Sequence, residues 1–184
     1  MEKIKIIFVD DHQIIRDGVR TMILDEEDIE FLDCAENGLV ALEKIKALSP
    51  DVVISDISMP DMTGIELAAK LKEMGSKTKV LILSMYTTDD YIFNAIQAGA
   101  KGILPKQDTN KEMLLDAIRT IHAGSEYYAS SVSKKLISSM VSGIKKGIPA
   151  DAGSKYTLTP REKEILKLYV EGYSNQEVAD KLNI

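Results

Sequence analysis

Residues 4–11 read Ile-Lys-Ile-Ile-Phe-Val-Asp-Asp, an apolar run that stops on two carboxylates, Asp10 and Asp11. The arrangement recurs down the chain. Asp56 follows Val52-Val53-Ile54-Ser55, Ser84 follows Val80-Leu81-Ile82-Leu83, and Lys106 follows Gly102-Ile103-Leu104-Pro105. Short runs rich in Val, Ile and Leu, with no polar alternation, read as strands covered on both faces, as in a parallel sheet. Five such runs are Lys5–Val9, Phe31–Ala35, Val52–Ser55, Lys79–Leu83 and Gly102–Leu104. In an open parallel sheet the carboxyl ends of the strands share one edge, and ligands bind there. One crevice is therefore expected to hold three carboxylates, a hydroxyl and an ammonium.

Helical patterns separate the runs. Ile15, Val19, Met22 and Ile23 share one face of His12–Leu24, and Ala41, Ile45 and Leu48 do so in the second connection. Ile65, Ala68 and Leu71 repeat this in the third, and Leu114, Ala117, Ile118 and Ile121 after the fifth strand. Thr109 and Glu112 have the spacing of a capping box. With right-handed crossovers, the expected fold is α/β, a five-stranded doubly wound parallel sheet over residues 1–125. Residues 126–156 read as a short helix, SSVSKKLISSM, and then a Gly/Pro-containing flexible linker. Over 157–184, Thr159-Pro160-Arg161-Glu162 starts a helix with Ile165, Leu166 and Tyr169 on one face. A second helix opens at Ser174, with Val178, Ala179 and Leu182 facing one way. Two amphipathic helices with little to bury against read as part of a small helical domain.

Charge is uneven. Residues 1–129 carry 14 basic and 23 acidic side chains, a net of −9, whereas 130–149 add four lysines and no acid. The overall charge of −6 argues against a surface given over mainly to nucleic acid or anionic membrane. Lys134, Lys135, Lys145 and Lys146 read as a solvated face rather than as contacts to DNA phosphates. The single cysteine, Cys34, rules out an internal disulfide framework and suits a reducing compartment. The first apolar run is too short for a signal sequence or a membrane span, so a soluble cytoplasmic protein is expected.

The crevice has a definite chemistry. A carboxylate such as Asp56 accepts a phosphoryl group when a cation offsets the repulsion between anions. Asp10 and Asp11, on the neighbouring strand end, supply a site for that cation. Oxygen-only ligation favours magnesium. Lys106 offers charge to the phosphoryl oxygens and Ser84 a hydroxyl donor. His12 reads as a water-exposed residue at a helix start, His122 as a surface residue and Cys34 as core.

The segments Asp10-Asp11, Val53 through Gly64 (VISDISMPDMTG), Ser84, and Ala98-Gly99-Ala100-Lys101-Gly102 leading to Lys106 resemble the flavodoxin-like receiver domain of two-component response regulators. Leu158-Thr159-Pro160-Arg161-Glu162 and Gly172 through Ala179 resemble the start of the LuxR-type helix-turn-helix, and together they resemble the NarL/FixJ class. The resemblance implies that a sensor histidine kinase phosphorylates Asp56. It implies direct Mg2+ ligation by Asp11, Asp56 and the Ser58 carbonyl, with Asp10 acting through water. It also implies that Ser84 and Lys106 contact the phosphoryl group, that phosphorylation drives homodimer formation, and that the complete C-terminal domain binds DNA.

Two departures from the family pattern stand out. Many receivers have an aromatic residue three before the lysine, where this chain has Ile103; Tyr86 is the accessory candidate for that switch role. The helix from Ser174 matches the scaffold helix, and residue 184 falls where the recognition helix would begin. No DNA-contacting residue is assigned, and the given sequence is not expected to read DNA by itself. Three functions remain in view. They are a phospho-switched transcription regulator, a receiver acting only through protein contacts, and a haloacid-dehalogenase-type phosphotransferase. The last wants a second carboxylate two residues after the nucleophile, where Ser58 stands.

Overall fold

The structure is a computed structural model and describes residues 3–86 and 88–145. The chain forms two compact units, Met1–Ala129 and Ser130–Ile184. In the first, β1 (Ile4–Val9), β2 (Ile29–Ala35), β3 (Val52–Ser55), β4 (Lys79–Ser84) and β5 (Gly102–Pro105) alternate with α1 (Gln13–Ile23), α2 (Gly38–Leu48), α3 (Gly64–Glu73), α4 (Asp89–Ala98) and α5 (Lys111–His122). A short β6 (Tyr127–Tyr128) follows α5. All pairings are parallel, in the order β2-β1-β3-β4-β5-β6. The order departs from the sequence order at β1, which places a topological switch point between β1 and β3.

The core follows from the composition of the runs. Ile6, Ile7, Phe8 and Val9 of β1 are wholly buried, as are Val52, Val53 and Ile54 of β3. Helix faces are narrower than their periodicity suggested. In α1 Val19 and Ile23 are buried, whereas Ile15 and Met22 stay exposed. In α2 Ala41 and Ile45 are buried and Leu48 is exposed. A helix on a twisted sheet touches it along a line, so outer members of an apolar stripe remain in water.

The structure departs from the sequence reading in three places. The sheet has a sixth strand: Gly102 pairs with Tyr127 and Ile103 with Tyr128 on the open edge of β5. Two residues give no periodicity from which to read it. Helix α5 is capped by Asn110, whose side chain accepts from the Met113 amide, and not by Thr109. The Thr109 hydroxyl instead donates to the Pro105 carbonyl at 2.6 Å. A full capping box occurs at α3, between Thr63 and Glu66. In the second unit, α6 spans Ser130–Lys145, beyond the expected stop near Met140. A lone Gly143 costs a helix only about 1 kcal/mol. The readings on residues 146–184 lie outside the described residues.

Candidate functional site

The sheet itself assembles the site. Asp10 follows β1 and Asp56 follows β3, and Val9 and Ser55 are direct partners across that pair. Main-chain bonds continue the ladder one residue further. The Asp10 amide donates to the Ala35 carbonyl at 3.1 Å and the Asp56 amide to the Val9 carbonyl at 2.9 Å. On the other side of β3, Ser84 pairs with Pro105, and the Lys106 amide donates to the Ser84 carbonyl at 2.9 Å. Asp10, Asp56, Ser84 and Lys106 thus lie along one strand-end edge, as the sequence predicted.

Lys106 holds two of the carboxylates. Its Nζ donates to Asp10 Oδ2 at 2.6 Å and to Asp56 Oδ2 at 2.8 Å. Asp56 Oδ1 accepts from the Ile57 amide at 2.7 Å, and Asp10 Oδ1 from the His12 amide at 2.9 Å. Both aspartates are buried. Burial alone would push the Lys106 pKa down, but its hydrogen bonds to Asp10 and Asp56 outweigh that and hold it above the ordinary lysine value. The ammonium is therefore charged.

Asp11 points into a second, wetter cluster. Ligand atoms of Asp10, Asp11 and His12 all lie within 4.8 Å of one another. His12 Nδ1 is 2.7 Å from Asp11 Oδ1 and 3.3 Å from Asp10 Oδ1, on a side chain that is 64% exposed. His12 is the exposed N-cap that the sequence suggested, and it makes no capping hydrogen bond. Its ring nonetheless meets both carboxylates, a pairing that spacing could not show. The donor set fits a hard divalent cation. Three carboxylates outnumber the Lys106 ammonium and the Arg16 guanidinium near them, so the site is net negative and offers carboxylate oxygens. Asp11 is the accessible member, because both Asp10 oxygens are already engaged.

The remaining candidates fall as follows. Ser84 is buried, and its Oγ accepts from the Tyr86 amide at 3.0 Å. Tyr86 is half exposed and its ring lies 5.8 Å from that of Tyr91. Ile103 is buried within β5, and Ser58 is exposed in the loop after Ile57. Two contributors escaped the sequence reading. Arg16 Nη1 donates to the Asp10 carbonyl at 2.5 Å, bracing the turn that carries the acidic pair. Gly64 closes the loop after β3 so tightly that a Cβ there would meet the Asp56 carbonyl oxygen at 2.0 Å. The glycine after Met62-Thr63 was the available signal for that close approach.

Comparison with known proteins gives this geometry its family. Residues 6–119 match the response regulator receiver domain, and 156–184 match the bacterial regulatory proteins of the luxR family. The chain belongs to the two-component response regulators, with a receiver domain and a LuxR-type DNA-binding domain. The oxygen regulatory protein NreC of Staphylococcus carnosus (strain TM300) is 35% identical over 97% of this chain and 82% of its own length. That of Staphylococcus aureus (strain MRSA252) is 34% identical over the same shares. Among solved structures, the response regulator ChrA of a haem-sensing two-component system is 32% identical, covering all of this chain and 83% of that one, with a TM-score of 0.63. RcsB of Salmonella typhimurium is 26% identical over all of this chain and 85% of that one, with a TM-score of 0.70. The family comprises phosphoacceptor regulators rather than classical enzymes, and its receivers bind Mg2+ in an acidic pocket. Asp10, Asp11 and His12, among the described residues, form an acidic cluster that could hold a metal ion. Among the described residues no helix is long and apolar enough to cross a membrane.

Proposed function

We propose that Asp56 accepts a phosphoryl group from a sensor histidine kinase and that the phosphorylated receiver controls transcription through its LuxR-type domain. The observation that carries this reading is the Lys106 ammonium bridging Asp10 and Asp56 in a buried, net-negative crevice. In the transfer, the phosphorus–nitrogen bond of the donor breaks and a bond from phosphorus to an Asp56 carboxylate oxygen forms. Lys106 then releases a carboxylate and pairs with a phosphoryl oxygen, exchanging one charge-assisted bond for another. The Ser84 hydroxyl, which accepts from the Tyr86 amide, keeps its own proton for donation to the phosphoryl group. Its movement draws on the Tyr86 main chain and so on the exposed Tyr86–Tyr91 surface.

Asp11, Asp56 and the Ser58 carbonyl would hold Mg2+ directly and Asp10 through water; the exposure of Asp11 supports its direct role. Bound Mg2+ supplies charge neutralisation for the oxygens around phosphorus. Ile103, aliphatic and buried, leaves Tyr86 as the accessory residue of the switch. The layout is a receiver that extends past the expected 125 to include β6, then helix and linker to 156, and LuxR-type sequence from 157. The protein is cytoplasmic, forms a homodimer when phosphorylated and at most dephosphorylates itself slowly. The solved assembly of two RcsB dimers on two parallel DNAs, 25% identical to this chain, supports a dimer on DNA.

The test is intact-mass measurement after incubation with Mg2+ and a small acyl phosphate. The wild-type chain is expected to gain one phosphoryl mass, Asp56→Asn none, and chelation is expected to abolish the gain. Equal labelling of Asp56→Asn would overturn the assignment.

A further inference from the structure

We propose that β6 is the joint through which the state of Asp56 reaches the helix that follows the receiver. This inference rests on the phosphoacceptor reading and adds a route of output to it. β5 lies between two things that matter. At its carboxyl end Pro105 leads into Lys106, the residue bound to Asp10 and Asp56. Along its outer edge it carries β6, where the Tyr127 amide donates to the Lys101 carbonyl at 2.9 Å and the Ala129 amide to the Ile103 carbonyl at 3.2 Å. α6 begins at Ser130, one residue beyond that last bond. Three residues of extended chain, roughly 10 Å, separate Ile103 from Lys106.

The seat of β6 is fitted closely. A Cβ on Gly102 would lie 2.7 Å from the Tyr127 carbonyl oxygen, 2.7 Å from Ile121 Cδ1 and 2.9 Å from Leu81 Cδ1. The absence of a side chain at 102 therefore lets β6 approach β5 while α5 and β4 pack on the same residue. Outside, the Lys101–Glu126 ion pair at 3.2 Å staples the strand to its partner, and the Tyr128 hydroxyl donates to Glu126 at 3.1 Å within the same segment. A ladder of two residues at a sheet edge is held by few bonds and opens far below the free energy of global unfolding. Such an element responds to small shifts in the strand it rests on. A shift of Lys106 towards a phosphoryl group moves the carboxyl end of β5, whose main chain is tied to Ser84 on one side and to β6 on the other. Because Ile103 is buried, the main chain of β5, rather than a swinging side chain, transmits the change. The phosphoryl group biases the joint through its differential contacts with Lys106 in the two states.

Amide hydrogen exchange on the full chain, with and without acyl phosphate and Mg2+, tests this, provided phosphorylation of each sample is read by intact mass. The expected result is a change of about threefold or more in the exchange of the Tyr127 and Ala129 amides on phosphorylation, absent in Asp56→Asn. Glu126→Gln, which weakens only the outer staple, is expected to speed exchange of the same amides before phosphorylation while the mass gain persists. A fully phosphorylated chain with both amides unchanged overturns the joint and leaves the phosphoacceptor intact. A chain that gains no mass overturns both.

Discussion

Asp11→Asn should make the metal-free protein more stable and the magnesium-bound protein less stable than wild type. Ligand oxygens of Asp10 and Asp11 come within 4.8 Å. Two like charges at that distance repel by about 1 kcal/mol at the dielectric of water and by about 3–4 kcal/mol at an effective dielectric of 20. The Asp11 side chain is 35% exposed, which places it towards the screened end, at about 1–2 kcal/mol. The variant also loses the contact with His12, an exposed pair worth about 0.5 kcal/mol. The net expectation is a gain of about 1 kcal/mol without metal. At a Mg2+ concentration a hundredfold above its dissociation constant, wild type gains about 2.7 kcal/mol by mass action. A variant whose affinity is about a hundredfold lower gains less than about 0.5 kcal/mol at that concentration, so the order of stabilities reverses. Urea unfolding followed by far-UV circular dichroism, in chelator and in saturating Mg2+, reads both gaps. A variant already weaker than wild type in chelator, or a gap that Mg2+ leaves unchanged, refutes the reasoning.

Lys106→Met removes the shared donor of two buried carboxylates and is expected to cost about 3 kcal/mol in chelator, with part recovered in Mg2+; equilibrium unfolding checks it. Gly64→Ala drives a methyl group into the Asp56 carbonyl and should destabilise by about 1–3 kcal/mol while slowing labelling of Asp56 by acyl phosphate, read by mass against time. Arg119 binds Asp28 through two nitrogens and Glu26 through one, tying α5 to the loop after α1. Hydrogen bonds from Lys111 first and then Arg119 hold Glu26 below the ordinary carboxylate range, and Arg119 does so for Asp28. Lowered carboxylate values contribute stability above pH of about 4 that is lost as pH falls through them, so Arg119→Ala should flatten the acid side of a stability–pH curve.

The strand ends were legible because each apolar run stops on a residue of distinct chemistry, and parallel topology turns that order into adjacency. Asp10, Asp56, Ser84 and Lys106 needed nothing more. Features set by side-chain direction did not show. Thr109 and Asn110 are both good caps, and only the Thr109 hydroxyl turning to the Pro105 carbonyl leaves the role to Asn110. Arg16 reaches the Asp10 carbonyl because the first turn of α1 returns over the end of β1, and His12 meets Asp11 across that same turn. β6 was hidden for a different reason, since Tyr127-Tyr128 is shorter than any repeat and depends on the bare edge that Gly102 leaves. The family resemblance carried the C-terminal reading, which the luxR-family match supports and which lies outside the described residues.

The bridge made by Lys106 spans the chain as well as the crevice. It joins Lys106 to residues 96 and 50 positions earlier, and both contacts close only when β5 has entered the sheet. During synthesis Asp10 and Asp56 are present long before their lysine. In the proposed reaction, a growing or partly folded chain therefore offers the kinase carboxylates without the ammonium that receives the phosphoryl oxygens. Competence to be phosphorylated then waits on the assembly of the sheet through β5.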